Sequence, residues 1–177
     1  MTGGSNISLV SRDELRALQA PLKERYRQAP GAALVTLSAT GSLGEGWSCS
    51  VQTGRAIAEA GLHPATGGDG SLLCSGDMLL EALVACAGVT LQAVASSIGI
   101  SVASGRVRAE GDLDFRGTLG VDRDTPVGFS AIRLSFDLDT DADDEQLAVL
   151  HKLTERYCVV YQTLASGPAL STSFNAA

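Results

Sequence analysis

Four cysteines, Cys49, Cys74, Cys86 and Cys158, are the side chains of this sequence best suited to covalent chemistry. A thiol reacts as its thiolate, so a reactive cysteine needs a nearby cation or a helix N-terminus to lower its pKa. Cys86 stands at the centre of LLEALVACAGVTLQ (79–92), a run so apolar that it reads as a core helix. Cys158 lies eleven residues after Leu147, three helical turns on, and faces the core from the end of its own helix. Two core-facing cysteines on separate helices could meet, although Cys86 taken alone reads equally well as a small hydrophobe filling space. Cys49 alternates with Trp47 and Val51, which places it on the buried face of a strand as inert filler.

Other chemistries find weaker support. The two histidines, His63 and His151, lie outside any Cys-x-x-Cys or His-x-x-x-His context, and Cys49, His63 and Cys74 lack the spacing of a zinc finger. DLDTDADDE (137–145) suggests a calcium loop, but the sixth position is Ala142 and the twelfth Ala148, where an EF-hand needs Gly and Glu. Those acids suit a strand end and a helix N-terminus instead. No G-x-G-x-x-G, Gly-Lys-Ser/Thr or G-x-S-x-G pattern is present. No metal and no dissociable cofactor is implied.

The elements that must position the thiols follow from periodicity. Ser11-Arg-Asp-Glu14 is a capping box, with Leu15, Leu18, Leu22 and Tyr26 at helical spacing and Pro21 expected to break or restart the helix. Ala33, Val35, Leu37 and Ala39 alternate as a strand, TGSLGEG (40–46) reads as a turn, and Trp47, Cys49 and Val51 alternate again, giving a hairpin. From Gly54 to Ser75 the pattern fails, and a long ordered loop is expected. The central helix runs from about Ser75 to Ile98. A second hairpin follows, with Val107, Ala109, Leu113 and Phe115 facing Ile132, Leu134, Phe136 and Leu138. Thr140-Asp-Ala-Asp143 opens another helix with Leu147, Leu150, Leu153, Thr154 and Tyr157 inward, and a short strand at about Ala169–Phe174 closes the chain. Locally paired strands with helices set apart from them predict an α+β fold in a single domain, 1–177, comprising an N-terminal helical segment, 1–30, and a core at about 32–175.

With 177 residues, 45% hydrophobic and 19% charged, the chain is long enough for one sizeable core. The net charge of −7, with 11 Arg and 2 Lys scattered, argues against nucleic acid or an anionic membrane as partner. The N-terminus lacks the pattern of a secretory signal, and the apolar run Met78–Leu91 is shorter than the roughly 20 residues of a membrane helix. The expected location is the cytoplasm, where thiols are reduced by default and a disulfide is more often catalytic than structural.

SGDMLLEALVACAGVTL (75–91), followed by VGFSAIRLSFDLD (127–139) and DDEQLAVLHKLTERYCVVYQTL (143–164), resembles the OsmC/Ohr family of thiol-dependent hydroperoxide reductases over roughly residues 32–175. The resemblance implies curved antiparallel sheets wrapped around long buried central helices in an intertwined homodimer. It implies that Cys86 attacks the peroxide, that Cys158 closes a disulfide with it, and that a dithiol reductant restores both thiols. Family members also use an arginine from a loop before the helix and an acid near the helix start; the matching residues are Arg55 and Asp77. The chain departs from the family in lacking a Gly-Gly-Arg-Asp-Gly loop, in carrying Val159 where a proline often follows the second cysteine, and in its long loop 59–76 with Cys74.

The resemblance implies a thiol peroxidase of the stress response, acting on organic hydroperoxides or hydrogen peroxide. Two alternatives use the same dimeric scaffold: a non-catalytic protein holding a small apolar ligand, and a redox sensor. Electrostatics sets one more expectation. A cysteine inside an apolar helix is desolvated, which raises its pKa, and the dipole of its own helix fades long before reaching it. A cation from outside the helix is therefore expected at Cys86, and Arg55, held by Asp77, is the candidate.

Overall fold

A computed structural model describes residues 12–29, 40–43, 48–52, 57–120 and 122–175. Among them, α1 (Arg12–Gln28) runs unbroken through Pro21, so the proline neither ends nor restarts the helix. Strands β1 (Thr40–Leu43), β2 (Ser48–Gln52), β3 (Ile57–Gly61) and β4 (Leu73–Cys74) form one sheet in chain order, antiparallel except for the parallel pair β3–β4. Residues 40–43, expected as a turn, are a strand, and the expected loop from Gly54 contains two strands and a 3₁₀ turn at Pro64–Thr66. Gly, Ala and Ser are poor strand formers, so pairing with β2 rather than side-chain type makes these segments extended. The expected strand around Ala33–Ala39 and the side chain of Cys49 lie outside the described residues.

Helix α2 (Ser75–Ile98) occupies the predicted span. Its inner stripe, Leu83, Ala87, Leu91, Val94 and Ala95, repeats at intervals of three and four residues and is the buried core of the chain. It stops at Gly99, which takes a left-handed φ of 79° that an L side chain resists. The Gly99 N–H returns to the Ala95 carbonyl, and the Ile100 N–H does the same at 2.9 Å. By length and composition α2 could cross a membrane, contrary to the shorter run read from the sequence. Its stripe packs instead on the second sheet and on the C-terminal helices, as a core helix does.

That second sheet is the antiparallel pair β5 (Ser104–Leu113) and β6 (Phe129–Asp139). Val107 and Ala109 face Ile132, Leu134 and Phe136 on the side covered by α2. The outer side carries charge pairs, Arg108 with Glu110 at 2.8 Å and Arg133 bidentate on Asp112. The Phe129 ring lies where a side chain at Gly111 would stand, and it reaches 3.4 Å from a side chain placed at Gly76. It thereby holds the start of α2 against the end of β5. Phe115, expected in the strand, begins the short helix α3 (Phe115–Thr118), because Asp114 caps that turn by accepting the Arg116 N–H at 3.0 Å.

Helix α4 (Asp144–Tyr157) opens with a capping box, in which the Asp143 carboxylate accepts the Gln146 N–H at 2.8 Å and the Gln146 side chain accepts the Asp143 N–H at 3.0 Å. The acids of 137–145 are therefore a strand end and a helix cap, as expected in preference to a calcium loop. Leu150 and Thr154 are buried, whereas Tyr157, expected inward, is 59% exposed. Helix α5 (Val159–Ala165) follows, and the strand expected at Ala169–Phe174 is absent. Leu170 and Phe174 are 90% and 96% exposed. Leu170 and Phe174 would share one face of a strand with Thr172, but the segment pairs with no described strand.

Candidate thiol site

Cys86 and Cys158 meet where α2 crosses the junction of α4 and α5. Cys158 is 1% exposed and packs with Leu83 and Ala87; Cys86 is half-buried against the same cluster, which Val107, Ala109 and Val160 also cover. Both thiols are free, and each shifts the ionisation of the other, as near neighbours do.

The local backbone explains how they meet. Cys158 adopts an extended conformation, φ −74° and ψ 107°, which makes it both the last cap of α4 and the first cap of α5. Its N–H still donates to the Thr154 carbonyl at 2.9 Å, and its carbonyl already accepts the Gln162 N–H at 2.9 Å. One residue therefore ends one helix and begins another. The first amides of a helix have no partner inside it. Here they favour the thiolates: the Val159 and Val160 amides lower the pKa of Cys86, and the Val160 and Tyr161 amides lower that of Cys158. Glu155 holds the junction from the α4 side, accepting the Tyr161 hydroxyl at 2.9 Å on its carboxylate and the Gln162 side-chain amide at 2.9 Å on its carbonyl.

These contacts set the two thiols apart. Burial pushes the Cys86 thiol up and is the largest single influence on it. Donors from the Val160 N–H, the Cys158 thiol, the Val159 N–H and the Thr90 hydroxyl together outweigh burial, so Cys86 ends below the usual thiol range. Cys158 moves the other way: burial raises it, amides of Tyr161 and Val160 oppose, and its bond to Cys86 adds to the rise. The pair thus sets one thiol shifted down, Cys86, beside one shifted up, Cys158. Among the described residues, the groups that oppose desolvation of Cys86 are backbone amides, the Cys158 thiol and the Thr90 hydroxyl.

Asp77 lies in the first turn of α2 and is exposed. Nine residues of helix turn it about 180° from Cys86, onto the opposite face. There it lines an open cavity of about 380 Å³ with Leu80, Glu81, Val84, Ala85 and Ala109. Arg55 lies outside the described residues. Cys74 caps the start of α2, roughly 18 Å along the axis from Cys86 at 1.5 Å per residue, so it is no partner for that thiol. His63 accepts the Ala65 N–H at 3.0 Å on Nδ1 and stacks on Phe115, a structural use of its ring. Among the described residues no three His, Cys, Asp or Glu side chains converge as a metal site would need. Thr90, Val159 and Val160 were not singled out by sequence. Thr90 could have been found from its spacing, one turn after Cys86 on the same helix.

Residues 68–173 match the OsmC-like protein family, which is more than half of the chain. The chain belongs to this family. Its fold resembles that of an OsmC-like protein from Mycoplasma pneumoniae, with a TM-score of 0.64 and 16% identity over 75% of this chain and 89% of that one. An organic hydroperoxide resistance protein from Legionella pneumophila gives 0.60 and 18% over 76% and 92%. The organic hydroperoxide resistance protein OhrB of Bacillus subtilis gives 0.51 and 19% over 76% and 94%. A comparison with curated protein sequences finds no match. The OsmC-like fold accounts for the mixed architecture, with a long apolar helix laid against an antiparallel sheet.

Proposed function

We propose that this OsmC-like protein is a thiol peroxidase that reduces organic hydroperoxides. The observation that carries the reading is the contact between a thiol of lowered pKa, Cys86, and a buried second thiol, Cys158. The Cys86 thiolate attacks the outer oxygen of ROOH; the O–O bond breaks, ROH leaves after taking a proton, and Cys86 becomes a sulfenic acid. The Cys158 sulfur then attacks the Cys86 sulfur, an S–S bond forms, and water departs. A dithiol supplies two electrons and two protons to restore both thiols. The apolar cluster against which Cys86 packs, Leu83 and Ala87 with Val160 over it, favours an apolar R group, at about 25 cal/mol per Å² of surface removed from water. The enzyme acts as a homodimer, a reading supported by Leu79 and Val89 on α2, which are 38% and 72% exposed in the single chain. Arg55 and Asp77 complete the proposal as a cation and its acid, acting across the subunit boundary because Asp77 faces away from Cys86 within one chain.

The test is peroxide consumption with a dithiol present, using an aromatic hydroperoxide. Cys86→Ser should abolish turnover, and Cys158→Ser should stop after one equivalent with a sulfenic acid that a dimedone reagent traps. Equal turnover in wild type and Cys86→Ser would overturn the reading.

A second reading has its own support. A cavity of about 280 Å³ between α2, β6 and α4 is lined by Leu91, Leu134, Phe136, Leu138 and Leu147, with His151 at its edge. A small apolar ligand would suit it, leaving the thiols structural. Slow alkylation of Cys86 at neutral pH, unchanged by peroxide, would favour that alternative.

A further inference from the structure

The segment ERYCVVYQTL (155–164) has neither glycine nor proline, yet the helix breaks at Cys158. The φ of Cys158, −74°, is already close to helical. Only its ψ, 107° where a helix has about −42°, separates the break from one continuous helix joining α4 to α5. One torsion of an ordinary residue does not hold itself there. The break needs contacts that exist only in the broken form.

Glu155 supplies two of them. In a continuous helix its carbonyl would accept the Val159 N–H, four residues on. Here the Gln162 side-chain amide donates to that carbonyl at 2.9 Å, in place of the backbone donor. The Glu155 carboxylate accepts the Tyr161 hydroxyl, also at 2.9 Å. Residues six apart lie about 120° round a helix and are not neighbours, so this bond belongs to the broken form. His151 Nε2 lies 3.5 Å from the same carboxylate, but its side chain is 61% exposed and solvent screens the pair. The bond to Tyr161 is better sheltered. Glu155 and Tyr161 are half-buried, and Tyr161 packs with Val160 on the cluster of Leu83, Ala87 and Cys158. Glu155 thus ties the last turn of α4 to the first turn of α5 beside the buried thiol.

We propose that Glu155 is a positioning residue of the thiol site: by accepting the Tyr161 hydroxyl and the Gln162 amide across the break, it holds Cys158 and the start of α5 in the geometry from which Cys158 closes on Cys86. The clamp rests on the reading that Cys86 and Cys158 are the reacting pair. It touches neither sulfur, so its loss slows closure of the disulfide without removing a reacting atom.

The experiment follows closure of the Cys86–Cys158 disulfide by peptide mass after addition of excess diamide, with peroxide consumption measured in the same proteins. One thiolate adds to the N=N bond of diamide and the other sulfur then displaces it. An S–S bond forms, and the two electrons and two protons of the thiols reduce the diazene to a hydrazine. Where the rate no longer rises with diamide, it reports the step between the two sulfurs. Tyr161→Phe and Glu155→Ala should each slow that step roughly three- to tenfold, the span of one hydrogen bond. The double variant should be no slower than the slower single one, because both remove the same bond. Glu155→Gln keeps an acceptor oxygen for the phenol and should return the rate to within about twofold of wild type. Thr140→Ala loses a bond of 2.6 Å to the Ser101 carbonyl at the far end of α4, and closure in it should match wild type. Equal closure in wild type, Tyr161→Phe and Glu155→Ala would overturn the proposal. So would additive slowing in the double variant, or the same slowing in Thr140→Ala, since general loosening would then be responsible. If closure responds as expected while no protein consumes peroxide, the clamp stands and the peroxidase reading alone fails. If peroxide is consumed while all closure rates coincide, the clamp alone fails.

Discussion

The contact between α2 and the C-terminal helices has two halves that are alike in burial and unlike in chemistry. In one, Leu91, Val94 and Ala95 meet Leu150, backed by Ile98, Ile100, Val102 and Leu153. In the other, Leu83 and Ala87 meet Cys158, and Cys86 stands beside them. Both continue the same stripes on the same pair of helices. What separates them is the backbone. At Leu150 helix α4 is intact and every amide is spent within it, so the side chains see only apolar neighbours. At Cys158 the helix stops and restarts, and the amides of Val159, Val160 and Tyr161 are released toward two sulfurs. A helix break thus delivers backbone donors into an apolar core, where they offset part of the desolvation of a thiol.

The largest expected effect separates the halves by energy. Leu150 is 1% exposed, so Leu150→Ala should cost about 2–5 kcal/mol through lost burial and a cavity. Urea unfolding gives that number, and the alkylation profile of Cys86 in the folded variant should match wild type. If the profile moves with stability, the two halves are one mechanical unit and the contrast between them fails.

The contrast also marks how far sequence could be read. The span of α2 and the alternation along β5 and β6 were legible because each pattern runs over many positions, and the acids before Gln146 marked the start of α4. The approach of Cys158 to Cys86 was expected from the resemblance and from the spacing to Leu147. The break was not legible as a donor site. ERYCVVYQTL contains no glycine or proline to mark it, and Val159 and Val160 are β-branched residues that give no hint of a new helix. Strands β1 and β3 were missed because their small residues carry no apolar alternation. Phe115 was assigned to a strand because its own parity fitted, although Asp114 beside it was free to cap a turn.

A smaller effect tests the break directly. Val159 is the first residue of α5, a position that accepts proline because its N–H has no helical partner and its φ is already suitable. Cys158 before it is extended, as a residue preceding proline prefers. Val159→Pro should thus leave the fold intact and remove one donor from Cys86. The sign follows from the ionisation. Cys86 sits below the usual thiol range because donors favour its thiolate, so losing one must raise its pKa and lower its reactivity at neutral pH. The expected rise is about half a unit to one unit, read from alkylation rate against pH. Cys158, held above the usual range by burial, should remain the slower of the two thiols in both proteins. An unchanged profile in Val159→Pro would assign the lowering of Cys86 to other donors and weaken the case for the break.

Thr154 offers the finest test, because it lies between the halves. Its side chain is 1% exposed, one turn from Leu150 and one turn from Cys158, and its Oγ1 has no hydrogen-bond partner among the described residues. A buried hydroxyl without a partner costs about 1–3 kcal/mol relative to one that is satisfied. If Thr154 belongs with Leu150, as core, then Thr154→Val replaces an idle hydroxyl by a methyl of the same shape. Stability should then be unchanged or higher by up to about 1 kcal/mol in urea unfolding, and the Cys86 profile should stay where it was. If it belongs with Cys158, the hydroxyl serves the thiols, and removal should instead destabilise the protein or move the profile of either cysteine. The structure places Thr154 with the core: neither thiol draws on its hydroxyl, although both draw on the amides one helical turn further along. A loss of more than about 1 kcal/mol in Thr154→Val would move the boundary of the reactive half back by one turn.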